Sequence, residues 1–315
     1  MNIDNRKATK VSPEGGDLEG AVRIAIQGTK GSFHELAARK HFGPDAECVE
    51  CITFKDVFDS VINRKADFGI IAIENTVAGT ILPNYAMLRD SGVQIIGEVY
   101  LHIQQNLLTL KGQSIEDIKE VHSHPMAILQ CQNFFEQYPH IRLVEADDTA
   151  AVGKRISEKQ LKHIGAIAGA HVAELYNLQI LAEAIETHEK NFTRFFVIQH
   201  SASPHLRFSV SDEPEKGGNG ETVSPDKASV YFTVSHEKGS LAKVLTQLAE
   251  HNINLTKIQS SPIVGREWEY YIHIDMEFDN YKNYQKALSA IKPSLSELKI
   301  LGEYKQGVKE EVPVI

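Results

Sequence analysis

The sequence predicts an α/β protein with two domains: a two-lobed α/β domain, then a smaller unit with the order βαββαβ. Three observations carry this. Apolar strand runs alternate with helical segments from Val22 onward. The alternation breaks once, at the β-rich VQIIGEVYLHIQQNLLTL, and then restarts. A run rich in Gly, Pro and charge, SDEPEKGGNGETVSPDK at 211–227, then separates these elements from a compact second set. The expected boundaries are a flexible tail over 1–21 and the two-lobed domain over 22–200, with the lobes meeting near 99–108. A linker over 201–226, the small unit over 227–305 and a tail over 306–315 complete the chain.

VRIAIQG is a short strand ending in Gly28, and SFHELAARKHFG a helix capped by Ser32 and stopped by Gly43. ECVECITF and FGIIAI read as buried strands around the helical KDVFDSVINRK, and NYAMLRDSG as the next helix. After the β-rich stretch come a strand IKEVHS, a helix MAILQCQNFFEQY and a strand IRLVEA. A helix TAAVGKRISEK, a strand HIGAIAG and a helix AHVAELYN follow. NFTRFFVI is a last strand that crosses back to the first lobe. In the small unit, ASVYFTVS, INLTKIQS, EWEYYIHIDMEF and ELKILGEY are strands, and GSLAKVLTQLAEHN and YKNYQKALSAIKPSL are helices. This is the ferredoxin-like arrangement, and nothing in it suggests catalysis.

Composition excludes several classes. The formal net charge of −9 provides no basic surplus for phosphate neutralisation, so no nucleic-acid partner is expected. No segment approaches the ~20 apolar residues that span a bilayer, and the polar N-terminus lacks the apolar core of a signal peptide. A cytoplasmic protein without a membrane partner is expected. Cys48 and Cys51 form a lone CxxC on a strand, where positions i and i+3 point to opposite faces; they read as core thiols.

Four stretches place polar residues where a strand yields to a helix or faces a cleft. These are GTKGS with Ser32, IENTVAG with Asn75 and Thr76, HSHPMAILQC with Ser123 and Gln130, and NFTRFF with Thr193, Arg194 and Phe195. Strand ends before helix N-termini favour a carboxylate. Each residue has a plainer reading. Ser32 and Ser123 read singly as N-caps, Asn75 as a turn residue and Gln130 as a bonded core amide. His122 and His124 lack a third ligand, and no metal is expected. Together the residues supply hydroxyls, amides and one guanidinium without a Ser–His–Asp triad, which suits an anion that reacts once oriented.

These segments resemble the prephenate dehydratase family. NFTRFFVI resembles its Thr-Arg-Phe signature and GTKGSFHELAA its Gly-x-x-Gly-Ser/Thr-Phe-Ser segment. IENTVAGT is similar to Glu-Asn-Ser-x-x-Gly, and HSHPMAILQC to Ser-His-Pro-Gln-x-x-x-Gln-Cys. GSLAKVLTQLAEHNINLTKI resembles the start of an ACT regulatory domain. The resemblance implies a catalytic domain similar to periplasmic-binding-protein type 2 scaffolds. It also implies decarboxylative dehydration of prephenate to phenylpyruvate, with no cofactor.

Thr193 would be the proton donor, with Asn75, Ser123 and Gln130 on substrate-binding and catalytic positions. Arg194 would meet a carboxylate, or brace the lobe, since adjacent strand residues face opposite ways. Phe195 would pack near the ring or position Thr193, and Ser32 and Thr76 would join the substrate-binding set. Thr76 and Met126 depart from the family's Ser and Gln, which puts no catalytic position in doubt.

The implied effector segments are Gly239, Ser240, Leu241 and Gln259, Ser260, Ser261, Pro262, where the family uses Gly-Ala-Leu and Glu-Ser-Arg-Pro. Loss of the Glu and Arg weakens the expectation of L-phenylalanine as effector. A homodimer or homotetramer is expected through the small unit. Arogenate dehydration and a non-catalytic two-lobed receptor for an aromatic or dicarboxylate metabolite are the competing readings; a pure amino-acid sensor leaves the first domain unexplained. The stretch before Val22 leaves no room for a fused chorismate mutase, so a bifunctional chain is not expected.

Overall fold

The computed structural model describes residues 22–203 and 224–309; the two expected tails lie wholly or mostly outside them, as does the linker apart from its ends. Lobe 1 holds β1 (Arg23–Gln27), α1 (Phe33–Phe42), β2 (Glu47–Cys51), α2 (Phe54–Ile62) and β3 (Phe68–Asn75). The short β4 (Gly79–Thr80), α3 (Leu82–Asp90) and β5 (Val93–His102) follow. Lobe 2 contains β6 (Asn106–Thr109), β7 (Glu120–Ser123), α4 (Pro125–Gln130), α5 (Gln132–Phe135) and β8 (Arg142–Glu145). It continues with α6 (Thr149–Glu158), β9 (Ile164–Ala168), α7 (Ala170–Leu175) and β10 (Gln179–Ala182). The chain then returns to lobe 1 as β11 (Phe192–His200).

Lobe 1 has the strand order β2-β1-β3-β11-β5, with β4 hairpinned onto β3. β1 runs parallel to β2 and β3, and β11 enters antiparallel between β3 and β5. Lobe 2 has the order β10-β6-β9-β7-β8. Two crossings therefore join the lobes, at 103–105 and 183–191, and the first lies within the predicted boundary. The helix expected over MAILQCQNFFEQY is broken at Cys131 into α4 and α5. Local caps match the sequence signals elsewhere: Ser32 caps α1, and Thr53 and Asp56 form a reciprocal capping box on α2.

The second domain comprises β12 (Lys227–Thr233), α8 (Ser240–Glu250), β13 (Asn254–Pro262), β14 (Tyr270–Glu277), α9 (Tyr281–Ile291) and β15 (Glu297–Tyr304). Its order β13-β14-β12-β15 is ferredoxin-like. One sheet face carries Val230, Phe232, Ile274 and Met276 and packs against α8 and α9 through Val244, Leu248, Tyr284 and Ile291. The other face is not solvated. Its Tyr231, Leu301 and Tyr304 join Val57, Phe58, Ile73, Tyr85, Phe196 and Ile198 of lobe 1 in one core. At Gly302 an added Cβ would sit 2.1 Å from the Ile95 carbonyl oxygen, so β15 lies directly against β5.

Cys51 belongs to this shared core, and Cys48 packs against the core under α1, on opposite faces of β2; both are free. His122 pairs with Glu120 at 2.9 Å and receives an Arg155 N–H at 3.0 Å, while His124 Nδ1 caps α4. Neither is arranged as a metal ligand. No helix among the described residues is long and apolar enough to cross a membrane.

His34 is buried under Phe195, edge-on at 5.1 Å, and its Nε2 accepts the Ala72 N–H at 3.3 Å. Burial lowers its pKa to about 3, against an ordinary 6.5. The unfolded chain thus binds a proton between these values that the folded chain refuses, so stability is lost as pH falls below 6.5. Urea unfolding at pH 7 and pH 5 should show His34→Gln losing about 2 kcal/mol less than the parent on acidification. Equal losses would contradict a neutral buried His34.

Candidate active site

β3 and β11 end side by side, with Asn75 and Thr193 as register partners. Getting both onto the same face requires an irregularity. Along β3, Ile71 and Ile73 face the second domain, while Ile70 and Ala72 face α1. Simple alternation would send Asn75 toward the second domain. The ladder instead slips between Arg194↔Glu74 and Phe195↔Ala72, leaving Ile73 as the extra residue of a bulge. The bulge turns Asn75 to the same side as Thr193, as bulges beside active sites commonly do.

The Asn75 amide is fully committed. Its Oδ1 accepts the Val77 and Ala78 N–H groups at 2.9 and 2.7 Å, which fixes the flip state. Its Nδ2 donates to Thr193 Oγ1 at 3.0 Å and to Asn191 Oδ1 at 2.8 Å. Among the described residues this is the hydrogen bond at Thr193 Oγ1, and Thr193 accepts in it. The hydroxyl hydrogen remains available to a ligand.

Fully buried Asn191 carries the network into lobe 2, donating to Gln130 Oε1 at 3.0 Å. Gln105 Nε2 reaches the same oxygen at 3.5 Å, and the Gln105 N–H donates to Glu186 at 2.8 Å. Asn191 and Gln105 sit on the two crossings, so the line of amides spans the hinge between lobes. Neither residue stands out in the sequence. Asn191 opens the signature segment itself, and an amide at a strand entry was the available signal.

The lobes also touch at the loop after β1. Asp148, the cap of α6, accepts the Thr29 N–H at 3.3 Å; His171 Nε2 donates to the Gly31 carbonyl at 2.7 Å; and the Tyr176 hydroxyl donates to the Lys30 carbonyl at 2.9 Å. Gly28 has φ +97°, and a Cβ there would lie 2.4 Å from Asp148 Oδ2. This close approach explains a glycine where the lobes meet.

The remaining predicted residues divide. Ser32 is buried and receives the Glu35 N–H as a helix cap. Ser123 is fully buried and spends its proton on the Ile167 carbonyl at 2.7 Å. Thr76 is exposed and clamps the second crossing, donating to the Lys190 carbonyl and accepting the Phe192 N–H, both at 2.9 Å. Phe195 lies in the core beneath Thr193 rather than in an open cleft. None of these four joins the Asn75–Thr193–Asn191–Gln130 line.

Arg194 corrects the expectation of a carboxylate partner in the cleft. Its side chain points to the opposite sheet face and is only 6% exposed. It ion-pairs with Glu98 at 2.6 Å and with Asp275 of the second domain at 2.5 Å, and donates to the Tyr304 hydroxyl at 3.2 Å. Burial works against its charge, but Asp275, Tyr304 and Glu98 outweigh it and raise the pKa well above the ordinary value. Lys227, the last residue of the polar run and the first of the expected small unit, is the fully buried first residue of β12 and pairs with Glu98 at 3.0 Å. Removing one partner from such a set leaves an uncompensated charge, at about 3–5 kcal/mol.

The proposed effector residues form local contacts within the chain. Gly239, at φ +85°, precedes α8, and Ser240 Oγ donates to the Glu237 carbonyl at 3.1 Å. Leu241 packs partly into the helix-side core. Gln259 donates to the Ser260 carbonyl at 2.8 Å, the Ser261 hydroxyl is buried without a partner, and Pro262 closes β13 at the sheet edge.

The body is thus a two-lobed α/β domain with a hydroxyl–amide pair where the lobes meet. The family model for prephenate dehydratase matches residues 24–203, and the chain belongs to that family. It is 34% identical over 296 residues to a bifunctional chorismate mutase/prephenate dehydratase of Aquifex aeolicus, covering 93% of this chain and 76% of that one. It is 35% identical over 298 residues to arogenate dehydratase 2 of Petunia hybrida, covering 90% and 71%. Among solved structures, GqqA, described as a novel type of quorum quenching acylase, superposes with TM-score 0.75 at 27% identity, covering 90% of this chain and 98% of that one. The prephenate dehydratase of Arthrobacter aurescens in complex with L-Phe superposes with TM-score 0.74 at 24% identity, covering 90% of each chain, and shares the fold.

Asn75→Asp keeps the acceptor for Val77 and Ala78 but removes the donor to Thr193 and Asn191. Turnover of prephenate should fall by roughly 10²-fold, the scale for a misplaced catalytic group, with the melting temperature changed far less than in Asn75→Ala. Parallel steady-state kinetics and thermal unfolding test this; unchanged turnover in Asn75→Asp would dismiss the donor role.

Proposed function

We propose that the chain removes water and CO2 from prephenate with Thr193 as the proton donor. The observation that carries this reading is the Asn75–Thr193 hydrogen bond at the hinge, in which Thr193 accepts and so keeps its own proton for the substrate. Prephenate is a dianion with a hydroxyl at C4 and a carboxylate at C1 of the ring. The C1–carboxylate bond breaks and releases CO2, its electron pair flows through the ring, and the C4–O bond breaks. The leaving oxygen takes one proton and departs as water. Phenylpyruvate, CO2 and water account for all atoms of prephenate plus that proton.

Aromatisation drives the step. The protein must hold the dianion and supply a proton at C4. A threonine hydroxyl is a weak acid, so its contribution depends on orientation before reaction. Asn75 supplies that orientation, and Asn191 and Gln130 tie it to the opposite lobe. The amides offer neutral hydrogen bonds to substrate oxygens. A substrate that exchanges for part of the amide line would draw the lobes together.

The same chemistry on arogenate is the second reading, favoured by the 35% identity to the petunia enzyme. Side-by-side assays of the purified protein on prephenate and arogenate separate the two. Product formation from neither would defeat the proposal.

Thr193→Ala should lower kcat by roughly 10²–10⁴-fold with a smaller change in KM, and Thr193→Ser should retain more activity. Near-parental kcat in Thr193→Ala would reject the donor role.

We infer that the ferredoxin-like unit is an ACT domain. Its outer strand β13 and the exposed Ile258, Val264, Trp268 and Tyr270 near it suit pairing with a second copy. Phenylalanine binding there would lack the charged pair of relatives, because Gln259 and Ser261 are neutral. Inhibition by phenylalanine should therefore be weaker than in relatives with Glu and Arg. Inhibition at low micromolar phenylalanine would contradict this.

A further inference from the structure

We propose that Lys257 and Asp275, both in the ferredoxin-like unit, are positioning residues for the Thr193–Asn75 pair, acting through Glu74 and Arg194. The inference rests on the reading of Thr193 and Asn75 as the working pair. Arg194 and Glu74 are register partners in lobe 1, one step from the Thr193 and Asn75 register pair. Lys257 and Asp275 are register partners in the second domain. Across the interface, Asp275 binds Arg194 at 2.5 Å, and Lys257 ion-pairs with Glu74 and reaches Thr80 Oγ1 at 2.5 Å. Four charges thus form a closed set in which each residue faces an opposite charge both along its own ladder and across the domain boundary.

Two bulges aim this set. The extra residue Ile73 turns Glu74 toward the second domain, and in the same step turns Asn75 toward the hinge. In β13 the ladder slips between Leu255↔Met276 and Lys257↔Asp275, leaving Thr256 as the extra residue. Without that slip Lys257 would share the helix-facing side with Leu255. A bulge in each of two sheets, each directing one member of the same ion pair, is costly to maintain unless the pairing has a use.

The geometry supplies the use. Arg194 and Asp275 are 6% and 2% exposed, so their contact is little screened by solvent. Lys257 is 11% and Glu74 32% exposed, a softer second contact. Thr193 and Asn75 follow the backbone of Arg194 and Glu74. With both anchors held, neither strand end can rotate about its axis, and the 3.0 Å amide-to-hydroxyl bond keeps its direction. With one anchor lost, the Glu74–Asn75 end rotates and the Thr193 proton loses its aim. β13 also carries Gln259, two residues from Lys257, so a displacement of that strand reaches the same pair.

The test uses the full chain. Lys257→Met should lower kcat by about 10- to 100-fold, the effect of a small misplacement of a reacting group, with KM little changed. Lys257→Arg keeps a cation facing both Glu74 and Asp275 and should retain most of the parental kcat. Lys286→Met, an exposed lysine of α9, serves as the control. The γ-methyl NMR shift of Thr193 provides a readout independent of turnover: it should move in Lys257→Met and stay near the parental value in Lys257→Arg and Lys286→Met. Should Lys257→Met fail to fold, Asp275→Asn takes the same measurements. Parental kcat and an unmoved Thr193 shift in Lys257→Met or Asp275→Asn would overturn the proposal, as would a Lys257→Arg variant no better than Lys257→Met. A parent protein inert on prephenate would defeat the functional reading alone, leaving the methyl shifts to decide the positioning role.

Discussion

The pleat of β11 puts two adjacent side chains to opposite uses, and much of the molecule follows from it. Thr193 points to the hinge between lobes, and Arg194 to the interface with the ferredoxin-like unit. A strand can divide its residues in this way only if both faces are covered, so lobe 1 needs α1 on one side and the second domain on the other. The core shared by Phe196, Ile198, Tyr231 and Tyr304 is the apolar counterpart of the Arg194 ion cluster. Burial of Arg194 would be unfavourable by itself. Glu98 and Asp275 offset it, and Lys227 in turn neutralises Glu98.

The hinge has a complementary logic. Its polar side chains are amides and a hydroxyl, whose hydrogen-bonding needs can be met by one another or by an anion. Charges are kept out of that line apart from Glu186 at its far end. Family membership and the bond between Asn75 and Thr193 support the same chemistry from different directions.

Much of this was legible in the sequence. Strand–helix alternation gave both lobes and the return of the last strand, and the Thr-Arg-Phe segment marked the place where the lobes meet. What escaped was direction. Periodicity cannot show a bulge at Ile73 or Thr256, because the slip is set by the partner strand. It therefore could not say which of Glu74 and Asn75 faces the hinge. The burial of Lys227 escaped because a lysine at the end of a polar run is ordinarily solvated, and its carboxylate partner lies 129 residues away. Ser123 and Ser32 were ambiguous between ligand and structural roles, and the structure gives them structural bonds.

Hydrogen exchange of the β11 amides in the parent and in Asp275→Asn tests most directly whether the second domain holds the working strand. Loss of the Arg194 anchor should speed exchange across Phe192–Phe196 while leaving β8 of lobe 2 unchanged. Exchange in β11 indistinguishable from the parent, in a variant that remains folded, would contradict the account.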